Sequence, residues 1–362
     1  MRGLQCRVLA LASLLGTRTL AQPRPGPCPE GSRRWAAVEP SPELELAAAC
    51  AGAEPLAVVR VGARVLVVLP GPDGGRSRAL GEGASRLGTA YGARDAVLAG
   101  WLDTDGNARV VRQELRAEGD PLVLGTPARN ATRPPFAISL ERDRALALVP
   151  FQRRRGLFTW AFVQGSPRLL RAELGDAVTA TGDVWITAEP GPSPGSMALQ
   201  ARRLSLTAGR DPRPVAAPGA AIQLGEGPFE VAPTTGGPAA LVQQVRGDAR
   251  GEAQVATWLA TPPLSVNLGV RPSTLGGASV VGGVVRVWYW DASGVLQTQR
   301  LVGLRPSAPT PVLLPTDGAV GASHGTAFVT CGGEEWFVAL LTEPSGTFLR
   351  AAPAVCTQAP SD

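Results

Sequence analysis

Cys50-Ala-Gly-Ala-Glu-Pro-Leu-Ala-Val-Val59 stands near the start of the chain, and Cys331-Gly-Gly-Glu-Glu-Trp-Phe-Val-Ala-Leu340 near its end. Each has a cysteine two residues before a glycine and four before a glutamate, and each leads into an apolar run. The offset is 281 (331 minus 50).

Two further pairs give offsets of their own. Ser85-Arg-Leu-Gly-Thr-Ala90, continuing to Trp101-Leu-Asp103-Thr-Asp-Gly106, matches Ser273-Thr-Leu-Gly-Gly-Ala278, continuing to Tyr289-Trp-Asp291-Ala-Ser-Gly294, at 188. Pro135-Phe-Ala-Ile138 with Ala147-Leu-Val149 matches Pro228-Phe-Glu-Val231 with Ala240-Leu-Val242 at 93. The three offsets are close to six, four and two units of about 47 residues, a length that marks repeat architectures. Six intervals between Cys50 and Cys331 give seven units, placed near 36–81, 82–126, 127–173, 174–226, 227–270, 271–315 and 316–357.

Each unit reads as strands. The clearest holds a short run Ala278–Val281, a β-prone run Val284–Trp290, a turn Asp291-Ala-Ser-Gly294, an alternating run Val295–Leu301, and a proline-bearing run from Pro311 to Leu314. Asp and Gly at the turn favour a hairpin. Proline lacks an N–H and suits an edge strand. Four antiparallel strands in about 47 residues have the dimensions of a propeller blade. The chain therefore resembles the β-propeller superfold, which implies an all-β ring of seven four-stranded antiparallel blades. It carries no WD dipeptide signature, so the resemblance is to an architecture. The last unit shows three strands, Thr326–Cys331, Glu335–Leu341 and Gly346–Ala351. Arg34-Trp-Ala-Ala-Val38 is the expected fourth, closing the ring with the other end of the chain. Glu189-Pro-Gly-Pro-Ser-Pro-Gly195 in the long fourth unit is expected to be a surface insertion.

Composition supports this. Gly 44 and Pro 34 in 362 residues make a turn-rich chain of many short strands. The net charge is +5, but Arg2, Arg7 and Arg18 fall in residues 1–21, which hold no acid. Without them +2 remains, and the charge offers no nucleic-acid surface. All 35 basic residues are arginine, which fits the coding bias of a GC-rich bacterium. Arg2 and Arg7 precede the apolar Val8–Leu15, and Thr19-Leu-Ala21 offers small residues before Gln22, the pattern of a secretory leader. The expected organisation is signal peptide 1–21, linker 22–33, propeller 34–357 and tail 358–362. That makes an exported, monomeric protein, periplasmic, cell-surface or extracellular, with no membrane span once the leader is removed.

Cys28, Cys50, Cys331 and Cys356 remain after the leader, an even number for an oxidising compartment. Cys28–Cys50 with Cys331–Cys356 would close short loops. Cys28–Cys356 with Cys50–Cys331 would lock the ring. Equivalent inner positions on adjacent blades are expected about 9–12 Å apart, beyond disulfide reach, which favours the local pairing.

No residues form a recognisable catalytic, cofactor or metal set. His324 is the only histidine and no CxxC occurs, so a zinc site is not expected. Asp103-Thr-Asp105-Gly106-Asn107 has oxygen ligands spaced like a calcium loop, but its glycine is one position early, and a hairpin turn is the expected outcome. The repeat places Tyr91, Thr181, Ser279 and His324 at matching positions, the candidate mouth of a central channel that could take a ligand. Arg153-Arg-Arg155 reads as a charged hairpin tip, and Asn130-Ala-Thr132 as a glycosylation sequon without consequence in a bacterium. Trp101, Trp160, Trp258, Trp288 and Trp290 read as core between blades. The functional expectation is a binding or interaction scaffold for a protein or carbohydrate partner. The alternative is a propeller enzyme, a glycoside hydrolase or lyase, with carboxylates meeting in the channel.

Overall fold

The computed structural model describes residues 32–357 apart from 93–94, 117–118, 126–136, 142–143, 151–156, 164–165, 173–175, 182–183, 206–212, 217–220, 233, 304 and 314–321; the side chains of 124–185 and 203–220 also lie outside the description.

Seven sheets stand among the described residues, each a blade of antiparallel strands save for one short parallel pairing in the sixth. Their innermost strands are Leu44–Ala51, Ala84–Gly92, Ala137–Glu141, Asp176–Thr181, Phe229–Val231, Thr274–Val281 and Ala322–Cys331. In the first six blades the later strands follow in chain order toward the rim. In the seventh the rim strand is Arg34–Val38, which pairs antiparallel with Gly346–Pro353 from Arg34↔Ala351 to Val38↔Thr347. The ring is thus closed by a strand from the opposite end of the chain, and Ala36 and Val38 join the core between blades 7 and 1. The chain is a β-propeller.

The strands differ in pattern because their surroundings differ. The second strand of a blade lies between two strands and between two neighbouring blades, so both its faces are buried. Glu54–Val61 and Val284–Trp290 accordingly read as nearly unbroken apolar runs and are buried almost throughout. Rim strands such as Arg76–Gly81 are largely exposed and polar. In blade 6 the rim strand is split into Arg305–Pro306 and Thr310–Pro311, as its prolines require. Tight hairpins join first to second strands. Gly52, the Gly282–Gly283 pair and the Gly332–Gly333 pair hold positive φ there, the conformation of two-residue turns that match strand twist. Glu189–Gly195 is not an insertion. Pro190 ends one strand of blade 4, Ser196 begins the next, and the residues between them form the hairpin. The blade's length lies further on, where both Arg213–Ala216 and Ile222–Glu226 pair with the third strand.

Where their side chains are described, the seams between blades are small apolar cores. Val329, Val338, Leu340 and Leu349 of blade 7 meet Ala57, Val59 and Val61 of blade 1. Leu56, Val58 and Val67 on the other face of blade 1 meet Val97, Ala99 and Trp101 of blade 2. Near the axis the inner strands come within sheet distance. Thr234–Thr235 pairs parallel with Ala278 and Ser279 of blade 6. A Cβ on Gly92 would lie 1.8 Å from the carbonyl oxygen of Cys50 on the neighbouring blade. That neighbour is backbone and cannot swing aside. Gly92→Ala is expected to lower stability by about 1–3 kcal/mol, the range for overpacking. Gly119→Ala, whose Cβ would meet nothing within 4 Å, serves as the near-neutral control in urea denaturation. Equal midpoints for the two variants would contradict this packing.

Candidate functional site

The structure separates the four residues matched in sequence. Ser279 lies two residues before its inner strand ends, Tyr91 one residue before, and Thr181 at the last position. These three share the end of the ring where inner strands turn into second strands. His324 lies seven residues before Cys331, toward the opposite end of its own strand. The four positions therefore do not share one end of the ring. The seventh inner strand is ten residues long, and His324, at its bulge between Ser323 and Gly325, stands five positions further from the end of its strand than Ser279 does from the end of its own. There its Nε2 is 2.9 Å from the hydroxyl of Thr342, which in turn is 3.1 Å from that of Thr347.

The cysteines occupy the first of these ends, and the expected local pairing is not what forms. Cys50 and Cys331 are bonded to each other, with Cα atoms 5.3 Å apart. Cys356 is also disulfide-bonded; Cys28 lies outside the described residues. The quoted phrases hide the reason. In blade 1 the strand ends at Ala51 and the turn is Gly52-Ala53, whereas in blade 7 it ends at Cys331 and the turn is Gly332-Gly333. Cys331 therefore corresponds to Ala51, and the two cysteines stand one residue out of register. One residue reverses the face of a strand. Cys331 looks into the seam toward blade 1, and Cys50 packs against the same seam from the other side. At equal register both would point the same way around the ring and could not meet.

Beside this bond lies the most deeply buried ionic cluster among the described residues of that end. Glu335, on the second strand of blade 7, accepts from the Ser279 hydroxyl at 2.7 Å and from Arg286 Nε at 2.6 Å, both in blade 6. The Arg286 side chain is 3% exposed and that of Glu335 14%. Burial pulls the Arg286 guanidinium below its ordinary pKa, with Glu335 opposing and Arg300 adding to the shift. The guanidinium also sits 5.1 Å from the Phe328 ring. Glu335 thereby ties blade 7 to the Ser279 and Arg286 side chains of blade 6 and acts as a clamp between the two blades.

The other end carries charged groups that act mainly within single blades. Arg60 bonds Glu43 at 2.9 Å and Glu45 at 3.1 Å, and Glu45 also accepts from the Leu87 amide of blade 2. Arg350 and Glu343 form a buried two-point pair at 2.9 and 2.7 Å. Asp103 accepts from the Asp105 and Asn107 amides, the Asn107 side chain and Arg109 Nε. Burial raises the Asp103 pKa, but the bonds from Asn107 and Arg109 outweigh it and leave the carboxyl below its ordinary value. Both oxygens serve a turn. Asp291 repeats the device 188 residues on, accepting from Ser293, Val295 and Gln297. Ser85 and Ser273 each bind two carbonyls across the same hairpins.

The bonds from Ser293, Gln297 and Val295 lower the Asp291 pKa from 3.8 to about 2. A carboxyl depressed on folding stabilises above its unfolded pKa and ceases to do so as pH falls through the folded value. Its contribution is thus complete above about pH 4 and gone near pH 2. Carboxyl-carbon NMR should place its midpoint near 2, and a midpoint near 3.8 would contradict the turn.

Trp101 and Trp288 are buried, and Trp258 and Trp290 pack against seam cores, as their spacing suggested; the side chain of Trp160, residues 153–155 and Asn130 lie outside the description. Among the described residues no helix is long and apolar enough to cross a membrane, and no three His, Cys, Asp or Glu side chains gather as metal ligands would.

No family model and no curated protein matches the chain. Solved structures do. The β-propeller domain of the Trilobed protease from Pyrococcus furiosus, described as having an open velcro topology, is similar at 12% identity and TM-score 0.51, over 84% of this chain and 94% of that one. A prolyl endopeptidase is similar at 14% and 0.50 over 91% of this chain, which spans 48% of that longer protein. The BP39L lectin from Burkholderia pseudomallei is similar at 14% and 0.49, covering 89% and 99%. At such identities the likeness shows the fold alone, a β-propeller.

Proposed function

We propose that this chain is an exported β-propeller that serves as a binding or interaction scaffold. The supporting observation is how its polar groups are spent. Among the described residues, the buried charges at Arg60, Asp103, Arg286 and Glu343 each have an opposite partner within the protein. Near the axis, the inner strands carry mainly small side chains, such as Ala47–Ala49, Gly88–Ala90, Gly276–Ala278 and Gly325–Ala327. These charges fix strands and turns within blades and, at Arg286 and Glu335, join two blades, and a scaffold needs that rigidity more than it needs a reactive group. The buried disulfide and the leader pattern at 1–21 fit an oxidising compartment outside the cytoplasm.

The test is affinity capture with the protein from residue 22 onward, immobilised against extracts of its own cell envelope, alongside assays on glycoside and peptide substrates. Saturable capture of one defined component, competed by free protein, is expected. Turnover of a substrate that is lost on replacing a single ionisable residue would overturn the reading in favour of an enzyme.

A further inference from the structure

Cys356 is disulfide-bonded, and Cys50 and Cys331 are bonded to each other. Of the 5 cysteines in the sequence, Cys6 and Cys28 remain as its partner. Cys6 falls within the leader pattern at 1–21 and departs when a leader is cut.

The geometry favours Cys28. The strand Arg34–Val38 runs antiparallel to Gly346–Pro353, so its entering end lies beside the leaving end of the other, with Arg34 opposite Ala351. Beyond Pro353 the chain turns through the short 3-10 helix Ala354–Thr357, which holds Cys356. That turn is fixed in place. Thr357 Oγ1 donates to the Ala354 carbonyl at 2.9 Å, and the Thr357 carbonyl accepts from the Leu313 amide at 2.7 Å. On the other side, Ser32 Oγ lies 3.7 Å from Cys356 Sγ. Cys28 is four residues before Ser32. Four extended residues reach about 13 Å, and a disulfide needs Cα atoms within roughly 7 Å. The chain that leads into the closing strand therefore passes the Cys356 sulfur with Cys28 in reach.

We propose that Cys28 is bonded to Cys356, and that this bond fastens the closing strand at the rim of the ring as Cys50–Cys331 fastens the same closure near the axis. The two thiols give up two protons and two electrons to a disulfide-bearing oxidant of the export compartment, which leaves as a dithiol while the new S–S bond forms. The strand has reason to be fastened. It is five residues long, and beyond its pairing with Gly346–Pro353 its backbone is held by one pair of bonds, between Trp35 and Gly71. Short terminal strands are among the first parts of a fold to open. Opening here would bare Leu349 and Ala351, both fully buried, and leave Gly346–Pro353 as an uncovered edge. A tether just before the strand keeps it close to its place and raises the rate at which it closes again. The proposal does not depend on what the propeller binds, so the scaffold reading stands apart from it.

The test expresses the full chain with its own leader in an exporting bacterium, blocks free thiols, and maps the purified protein by digestion without reductant and mass spectrometry. One crosslinked peptide should join Cys28 to Cys356, beside a second that joins Cys50 to Cys331. The N-terminal peptide of the same digest reads separately whether the leader has been cut. Hydrogen exchange then tests the fastening. With Cys28→Ala and Cys356→Ala together, the amides of Arg34–Val38 should exchange about tenfold faster than in the parent. Those of Val338–Leu340 serve as the control for the folded ring. If these too lose protection, the variant has unfolded and the crosslink map decides alone. A blocked thiol on Cys28 or Cys356, Cys356 joined to Cys6 or to a second copy of the chain, or unchanged exchange at Arg34–Val38 would each overturn the proposal.

Discussion

Replacing Cys50 and Cys331 together by alanine should lower the free energy of unfolding by about 2–5 kcal/mol, the range for native disulfides. The bond spans 281 residues, and a crosslink that closes so long a loop removes much entropy from the unfolded chain. It acts on the seam where the ring is completed. That seam is also held without covalent bonds, by the Arg34–Val38 strand pairing across Gly346–Pro353 and by the core around Val59, Val338 and Leu340. The double variant should consequently still fold, with a lower urea midpoint. A second variant, Val38→Asp, should weaken the strand closure and the core that strand joins while leaving the disulfide in place. Combined with the cysteine changes it should cost more than the separate effects add up to, because both act on one seam. The substitution is preferable to a reductant, which would also reach Cys356. A midpoint equal to that of the parent would mean that the strand and the core close the ring without help.

The ring was legible in sequence for a physical reason. A propeller repeats backbone geometry, and geometry selects residue types at a few points: glycine where φ is positive, serine and aspartate where a hairpin needs an acceptor or a donor. The match at offset 188 reappears bond for bond in the Ser85–Asp103 and Ser273–Asp291 hairpins. The match at 281 was nearly right, and its one-residue error decides the disulfide. Gly52 aligns with Gly333 by distance from the cysteine, but with Gly332 by position in the turn. The error came from counting from the cysteine instead of the turn, which is what sets register. His324 went astray similarly, because counting along the repeat put it level with Ser279, whereas it stands five positions further from the turn that ends its strand. Glu335 carried no signal at all. Its partners lie on the next blade, and no repeat describes that neighbour.

Glu335 therefore makes a strict trial of how the blades hold together. Glu335→Ala should destabilise the protein by about 3–5 kcal/mol, because it takes the carboxylate away from a buried guanidinium. Arg286 has little solvent to turn to, at 3% side-chain exposure, and the Ser279 hydroxyl loses its acceptor as well. Simple loss of an exposed ion pair would instead cost at most about 1 kcal/mol. The two cases separate with a second substitution. Glu335→Leu combined with Arg286→Met removes both charges and keeps apolar volume beside Phe328, so it should recover most of the loss seen in Glu335→Ala. Glu335→Gln should fall between them, since the amide oxygen can still accept from Arg286 while the charge is gone. Urea denaturation of the three variants gives the order. If Glu335→Ala costs less than about 1 kcal/mol, the pair is not shielded from water as the seam requires. If the doubly apolar variant is as unstable as Glu335→Ala, the cluster is held by its shape and not by its charge.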